Sequence, residues 1–504
     1  MAMEGEMGVA VTDFPDPRTT DHVLHNPSFE DLRVFSSDQE TTTEYGSPAY
    51  DTDYHSRCSD STRNDVDSEF DDRDYAIVET GLDAVREGER EFVCVDRRVG
   101  RYPESSYVCR LFVPKPHARI ALAWAKLLDP AEDDADPDFV TVQLPDRDEP
   151  AIRALIDDGV TVVLGSDYTG EAKKSFLRLF MRRAKEQNGL GLHAGSKRIH
   201  LEDDEGERDV GQLFLGLSGT GKSTLTSHGL WLDDPEYAEA VQDDVCALLP
   251  NGTVAGSEGG GLYIKTLGLD PEEQPELYRA ATAEDAVLEN VAVEGDGTVD
   301  FDDDSLSGNA RAVVPRERVE GAADGIDLDD VDQLFFITRH PLVPPLARLS
   351  PTQAAAAFML GESVQTSAVD PSAAGEVVRV VGTNPFIVGP PGKEGNRFRA
   401  LVEELDISCY LLNTGDVGTA DPRSVSVEET VNLLTAVARG TVEWDDDSTV
   451  GLTVAADAPG VDLGDIRVAD RVDDPAEFEE IREDRREHLA GFDELDDDVV
   501  DAVY

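Results

Sequence analysis

Lysine is almost missing from this chain. Nine occur in 504 residues: Lys115, Lys126, Lys173, Lys174, Lys185, Lys197, Lys222, Lys265 and Lys393. Arginine carries most of the positive charge, yet the two together reach only 44 against 106 aspartates and glutamates, a net charge of −62. Nucleic acid and anionic membrane surfaces, which are gripped through basic residues, are excluded as expected partners. Self-repulsion of this size destabilises a compact state in dilute salt. Concentrated salt screens it over about 3 Å at 1 M, so a halophilic protein is expected. Cysteine is scarce too: Cys58, Cys94, Cys109, Cys246 and Cys409. An odd number without a C-x-x-C pair excludes a disulfide framework or zinc ribbon and fits a reducing cytoplasm. No run of 18 apolar residues occurs, so no membrane span is expected. The start, MAMEGEMGVAVTDFPDP, lacks the basic and apolar regions of a secretory leader.

What is present is patterned. Apolar residues make up 40% of the chain, enough for globular folding, and the length predicts more than one core. Residues 1–75 are polar and acidic and predict an irregular segment. EFVCVDRR, YVCRLFVP and VTVVLGS (160–166) predict strands, and PHARIALAWAKLL a helix. DYTGEAKKSFLRLFMRRAKEQ predicts an amphipathic helix with Thr169 as N-cap. LEDDEGERD (201–209) reads as a turn or domain junction. Hairpins are expected at PNGT (250–253) and GDGT (295–298). QLFFIT (333–338), VVRVVGT (377–383) and CYLLNTG (409–415) predict further strands, and the chain beyond about 475 predicts acidic helix. The expected class is α/β. The expected domains are an acidic N-terminal segment (1–75), an α/β substrate-side domain (76–205) and a nucleotide-binding domain (206–504).

GLSGTGKS (216–223) fits G-x-x-x-x-G-K-[ST], between a strand pattern and a helical one. In such a loop the glycines let backbone N–H groups face phosphate oxygens. Lys222 then reaches the β/γ-phosphates, and the Ser223 hydroxyl serves Mg²⁺. Asp243 and Asp244, in VQDDVCALL, have apolar flanks that set them apart from a solvated acidic turn and suit a divalent cation. YTGEAKKS puts Lys173 and Lys174 at a helix start, where the helix field and mutual repulsion both disfavour two ammoniums. Two solvated lysines would be the ordinary reading. In a chain this poor in lysine, a neutral amine able to ligate a metal becomes the alternative. His193 in LHAGS and Arg311 in SLSGNARAVVP are, taken singly, compatible with structural roles.

Taken in order, YTGEAKKS, LHAGSK, GLSGTGKST, QDDVCAL, EGGGLYIKT, GNAR, LVPPLARLS and LNTGDVG resemble the motif series of the ATP-dependent phosphoenolpyruvate carboxykinases over residues 90–440. The resemblance implies a two-domain α/β fold with mixed sheets and a phosphate loop in the C-terminal domain. It implies conversion of oxaloacetate and ATP to phosphoenolpyruvate, CO₂ and ADP, in gluconeogenesis. Mn²⁺ would be held by Lys174, His193 and Asp244, and Mg²⁺ by Ser223. Lys173, Lys222 and Arg311 would be catalytic. Arg57, in HSRCSDS, would bind substrate with Tyr168 and Arg311. Gly216, Ser218, Gly219, Thr220, Gly221, Lys222, Ser223, Thr224, Lys265 and Thr430 would bind nucleotide. The chain departs from the family pattern after Asp244, in a glycine added to EGGGLYIKT, in a shortened ITRHPLVPP, and in SVSVEET, where Arg423 is displaced by one position. Two other readings keep the phosphate loop: a small-molecule or HPr serine kinase-like enzyme, and a non-catalytic nucleotide-binding regulator. No oligomeric state is set, and a monomer is the default.

Overall fold

The computed structural model describes residues 8–203, 206–272, 274–365 and 375–504. The chain divides into two compact units and crosses between them repeatedly: Met1–Arg183 with Ser257–Glu320, and Ala184–Gly256 with Gly321–Tyr504. Both are mixed α/β. This division differs from the expected linear one at 205, because residues 257–320 rejoin the first unit by strand pairing that no local pattern announces.

In the first unit an eight-stranded sheet is centred on Phe92–Val99, Tyr107–Pro114, Phe139–Leu144 and Val160–Leu164. Phe92–Val99 and Tyr107–Pro114 pair antiparallel, and the next two join in parallel. The Asp72–Glu87 helix packs Val78, Leu82 and Val85 against Val140, Val142 and Val162. A Cβ at Gly81 would come within 2.6 Å of Val162, so only glycine allows this approach. The helices Ala118–Lys126 and Thr169–Glu186 meet through Trp124 and Phe176, whose rings stack at 4.8 Å. A second, five-stranded sheet runs in the order Gly261–Lys265, Arg311–Pro315, Val287–Glu289, Pro48–Tyr50, Glu40–Thr42. The N-terminal segment is therefore ordered from residue 8 onward, against the expectation of irregularity. Phe14, Leu32, Ala49 and Tyr50 of this segment are buried, while Phe29 and Val34 stay exposed.

The second unit is built on a ten-stranded sheet. Leu190–Asp203 and Gly206–Gly216 form a long antiparallel ladder, with Leu201 opposite Arg208 and Glu202 opposite Glu207. The acidic stretch read as a junction thus belongs to one hairpin, whose tip lies outside the described residues. Gly206–Gly216, Gln333–Thr338 and Ser408–Asn413 then run parallel, side by side. Alternate residues of these strands enter two cores. Leu213, Leu215, Leu334, Phe336 and Leu411 face the helices Pro351–Leu360 and Pro391–Glu404. Phe214, Phe335, Ile337, Tyr410 and Leu412 face Val427–Arg439. Covered on both faces, such strands read as unbroken apolar runs rather than alternating ones, as QLFLGL and QLFFIT do. The expected hairpins at 250–253 and 295–298 are present. The strand expected over 377–383 ends at Arg379 and gives way to a turn in which Gly382 takes φ 58°.

Candidate functional site

Parallel alignment puts Gly216, Ile337 and Leu412 side by side, so the strands Gly206–Gly216, Gln333–Thr338 and Ser408–Asn413 end together. In open α/β sheets ligands bind outside such carboxyl ends. Here the glycine-rich segment turns from Gly216 into the short helix Lys222–Ser227, with Gly219 at φ 82° and Gly221 at φ 96°. A side chain at Gly216 would meet the Thr220 hydroxyl at 2.5 Å. The Thr414 hydroxyl donates to the Thr220 carbonyl (2.7 Å), and the Arg339 guanidinium to the Gly219 carbonyl (2.9 Å). With these two carbonyls held, the face formed by Ser218, Gly219, Ser223 and Thr224 is exposed. Lys222 donates from Nζ to the Asp243 carbonyl at 2.6 Å.

The strand pairing that sets His193 opposite Val245 also brings His193 beside Asp244. Their Nε2 and Oδ1 atoms lie 3.2 Å apart. The Thr383 carbonyl accepts from His193 Nδ1 at 2.9 Å, which orients the ring with Nε2 toward the carboxylate. A proton on Nε2 or a metal cation beside it serves this contact equally. Asp243 adds a buried Oδ1 with no hydrogen-bond donor. This donor set fits a divalent metal. His25, Cys94 and Asp96 also converge, but Arg110 occupies both Asp96 oxygens, at 2.8 and 2.7 Å.

The first unit holds a group of cations of its own. Arg311 stands between Lys265 and Glu289 on the two neighbouring antiparallel strands, so its cross-strand partners are one cation and one buried acid. Burial, and then the Arg311 guanidinium, hold Lys265 below the usual lysine range. Asn309, a neutral acceptor, takes the Arg311 Nε and Nη2 hydrogens (3.1 and 2.8 Å) and donates to the Tyr168 hydroxyl (3.2 Å) and the His55 carbonyl (2.7 Å). The Tyr263 ring lies under both Arg311 and Lys173, 5.4 and 5.5 Å from its centre. Lys173 is 2% exposed and its Nζ lies 2.8 Å from Glu258. Lys174, next along the helix, is half-buried. Arg57 donates to Ser59 and lies close enough to Glu171 and Arg178 to bias both. Burial raises Glu171 against Arg57 and the Cys58 N–H, and burial followed by Arg57 lowers Arg178 to about 10.

The structure thus gathers Tyr168, Lys173, Lys265 and Arg311 in one unit, and His193, Asp244, Lys222 and the glycine loop in the other. Thr430 is buried in its helix, its hydroxyl donating to the Ser426 carbonyl at 2.9 Å. Arg423 is occupied by Glu429 (2.7 and 2.8 Å) and Asp465 (3.0 Å). Thr169 does not cap its helix. Its N–H and hydroxyl donate to Glu289 (3.1 and 2.7 Å), which also receives the Tyr263 hydroxyl. Glu289, Tyr263 and Asn309 are not singled out by the sequence: among 106 acids Glu289 carries no distinguishing mark, although Tyr263 and Asn309, like Glu258, lie inside the quoted motifs.

These features define a class: a mixed α/β protein with a glycine-rich strand-to-helix loop, a histidine–carboxylate pair suited to a metal, and a cluster of partly buried cations. The family model described as phosphoenolpyruvate carboxykinase matches residues 37–463, and the chain belongs to that family. The Phosphoenolpyruvate carboxykinase (ATP) of Aeropyrum pernix is 40% identical over 377 residues, 74% of this chain and 75% of that protein. Proteins of the same name from Mesorhizobium japonicum and Rhizobium rhizogenes are 29% and 30% identical over 326 and 329 residues. Each alignment takes in 63% of this chain and 58% of the relative. No helix among the described residues is long and apolar enough to cross a membrane.

Proposed function

We propose that this chain is an ATP-dependent phosphoenolpyruvate carboxykinase, interconverting oxaloacetate and ATP with phosphoenolpyruvate, CO₂ and ADP. Beside the family match, the observation that carries this reading is the cross-strand pairing of Arg311 with Lys265 in a chain of charge −62. Two adjacent cations, one of them bonded by the neutral Asn309 amide, suit an anionic substrate whose charge moves onto the enolate oxygen.

The bond from the departing carboxyl carbon to the adjacent methylene carbon breaks, and its electron pair passes into the enolate. The enolate oxygen attacks the γ-phosphorus in line. The bond to the bridging oxygen breaks and ADP leaves with that pair. Decarboxylation itself supplies the nucleophile, so no base is needed to deprotonate a hydroxyl. The protein's work is positioning and neutralisation. Arg57 and Tyr168 hold the oxaloacetate; Lys173 and Arg311 balance charge on the substrate and the moving phosphoryl group. Lys222, Lys265, the loop 216–224 and Thr430 hold the nucleotide, in a phosphate loop of the C-terminal part. Lys174, His193 and Asp244 would hold Mn²⁺, and Ser223 Mg²⁺, supplying Lewis-acid charge when bound. His193→Ala should raise the Mn²⁺ dissociation constant at least about tenfold and leave ATP affinity without Mn²⁺ unchanged, read by calorimetry. An unaltered Mn²⁺ affinity would remove His193 from the ligand set.

The same reading makes the enzyme cytoplasmic, in keeping with five free cysteines, and halophilic. Its thermal midpoint should climb between about 0.1 and about 3 M KCl as self-repulsion is screened. A flat midpoint would contradict the salt adaptation. The function itself is tested by phosphoenolpyruvate formation from oxaloacetate and ATP in concentrated KCl with Mn²⁺ and Mg²⁺.

A further inference from the structure

Arg339 is the first residue after the Gln333–Thr338 strand, at the carboxyl end of the sheet where the glycine loop begins. One of its guanidinium N–H groups donates to the Gly219 carbonyl, and its backbone N–H donates to the Ser363 hydroxyl. No carboxylate among the described residues lies within ion-pair distance of it. That is unusual company for a guanidinium in a chain with 106 acids. Arg423, at the edge of the same region, shows the ordinary outcome, with its fork spent on Glu429 and Asp465.

The position is fixed from below. A Cβ at Gly415 would lie 2.8 Å from the Arg339 Cβ, so only glycine there lets the arginine sit where it does. Thr414, the neighbour of that glycine, holds the next loop carbonyl, that of Thr220. Two strand ends therefore grip two successive loop carbonyls, and Arg339 supplies one grip through a cation. A guanidinium has five N–H donors in a planar fork matched to phosphate oxygens. One of them is bonded within the protein.

We propose that Arg339 is a nucleotide-binding residue that contacts the polyphosphate chain of the bound nucleoside triphosphate from the side of the loop marked by Gly219. This rests on the reading of residues 216–224 as the phosphate loop. In that arrangement Lys222, bonded to Asp243, and Arg339, bonded to Gly219, bring two positive charges to one loop, and only Lys222 belongs to the loop motif. The contact also gives the shortened ITRHPLVPP segment a purpose: it ends its strand on a cation beside the loop.

The test is calorimetric titration of the whole protein with MgATP and with magnesium tripolyphosphate in concentrated KCl, for the wild type, Arg339→Gln, Arg339→Lys and Lys222→Ala. Arg339→Gln should weaken both ligands about 10- to 100-fold, the loss of a charge-assisted bond. Arg339→Lys should recover part of the loss as a point charge without the fork, an outcome a purely structural role would not give. Unchanged affinity in Arg339→Gln, with Lys222→Ala weakened, would overturn this assignment and leave the phosphate loop standing. Weakened ATP with unchanged tripolyphosphate would overturn it as well, because the contact would then be to the nucleoside. Wild-type protein that binds neither ligand would overturn the loop reading and this proposal together.

Discussion

Lys222→Ala should reduce the rate of phosphoenolpyruvate formation by at least about 10³-fold, the scale on which single charge-stabilising groups act in phosphoryl transfer. The ammonium is delivered by the turn out of Gly216, with Gly219 and Gly221 at left-handed φ values that a side chain resists. It is half-buried, and its ammonium donates a hydrogen bond to the Asp243 carbonyl, a neutral acceptor with which phosphate oxygens can compete. Charge that develops on the γ-phosphoryl oxygens loses its one lysine partner from the loop once this side chain is cut back. Carbon–carbon bond cleavage makes no use of it, so slow conversion of oxaloacetate to pyruvate should survive in the variant. Loss of both reactions in a folded Lys222→Ala protein would show that the lysine does something other than hold phosphate.

Arg311→Ala should cost about 10²- to 10³-fold in both carbon–carbon cleavage and phosphoryl transfer, because its charge lies where substrate and phosphoryl group both become anionic. Asn309 aims the fork, and the Tyr263 ring supports its plane. Arg311→Lys keeps a charge and loses the two-point contact with Asn309, so it should recover only part of the rate. A second readout follows from Lys265, whose ammonium is held below the usual range by burial and by Arg311. Removing the guanidinium should raise the Lys265 pKa toward its ordinary value, seen as a shift of its side-chain titration by NMR. A variant with full activity and an unmoved Lys265 would detach the pair from the reaction.

Particular residues show how far the sequence could be read. The helix Thr169–Glu186 and the strands Phe92–Val99 and Val160–Leu164 stand where periodicity placed them. Each is long enough, or apolar enough, to be decided locally. The turn from Gly216 to Lys222 was equally legible, since a glycine-rich passage from strand to helix is a local object. The sheet Gly261–Lys265, Arg311–Pro315, Val287–Glu289, Pro48–Tyr50 was not. Its short strands come from three separated stretches, and the parallel pairing of Leu288 with Ala49 leaves no trace in either neighbourhood. The same distance hid the acids. Glu258 opens the quoted EGGGLYIKT motif, but its partner Lys173, 2.8 Å away, lies 85 positions earlier in the chain. Glu289 is marked only by its bonds to Thr169 and Tyr263, and Glu362 by its pairing with the buried Arg485 of the acidic C-terminal helix. Charge surplus conceals which acids are structural, while scarcity of lysine makes the remaining cations stand out.

One measurement bears on the central claim most directly: purified protein in concentrated KCl, with Mn²⁺ and Mg²⁺, given oxaloacetate and either ATP or GTP, with phosphoenolpyruvate, CO₂ and nucleoside diphosphate quantified together. The carboxykinase reading predicts the three products in equal amounts with ATP, and formation of oxaloacetate and ATP when phosphoenolpyruvate, CO₂ and ADP are supplied instead. Failure of both nucleotides to yield phosphoenolpyruvate, while a hydroxyl substrate is phosphorylated, would contradict it.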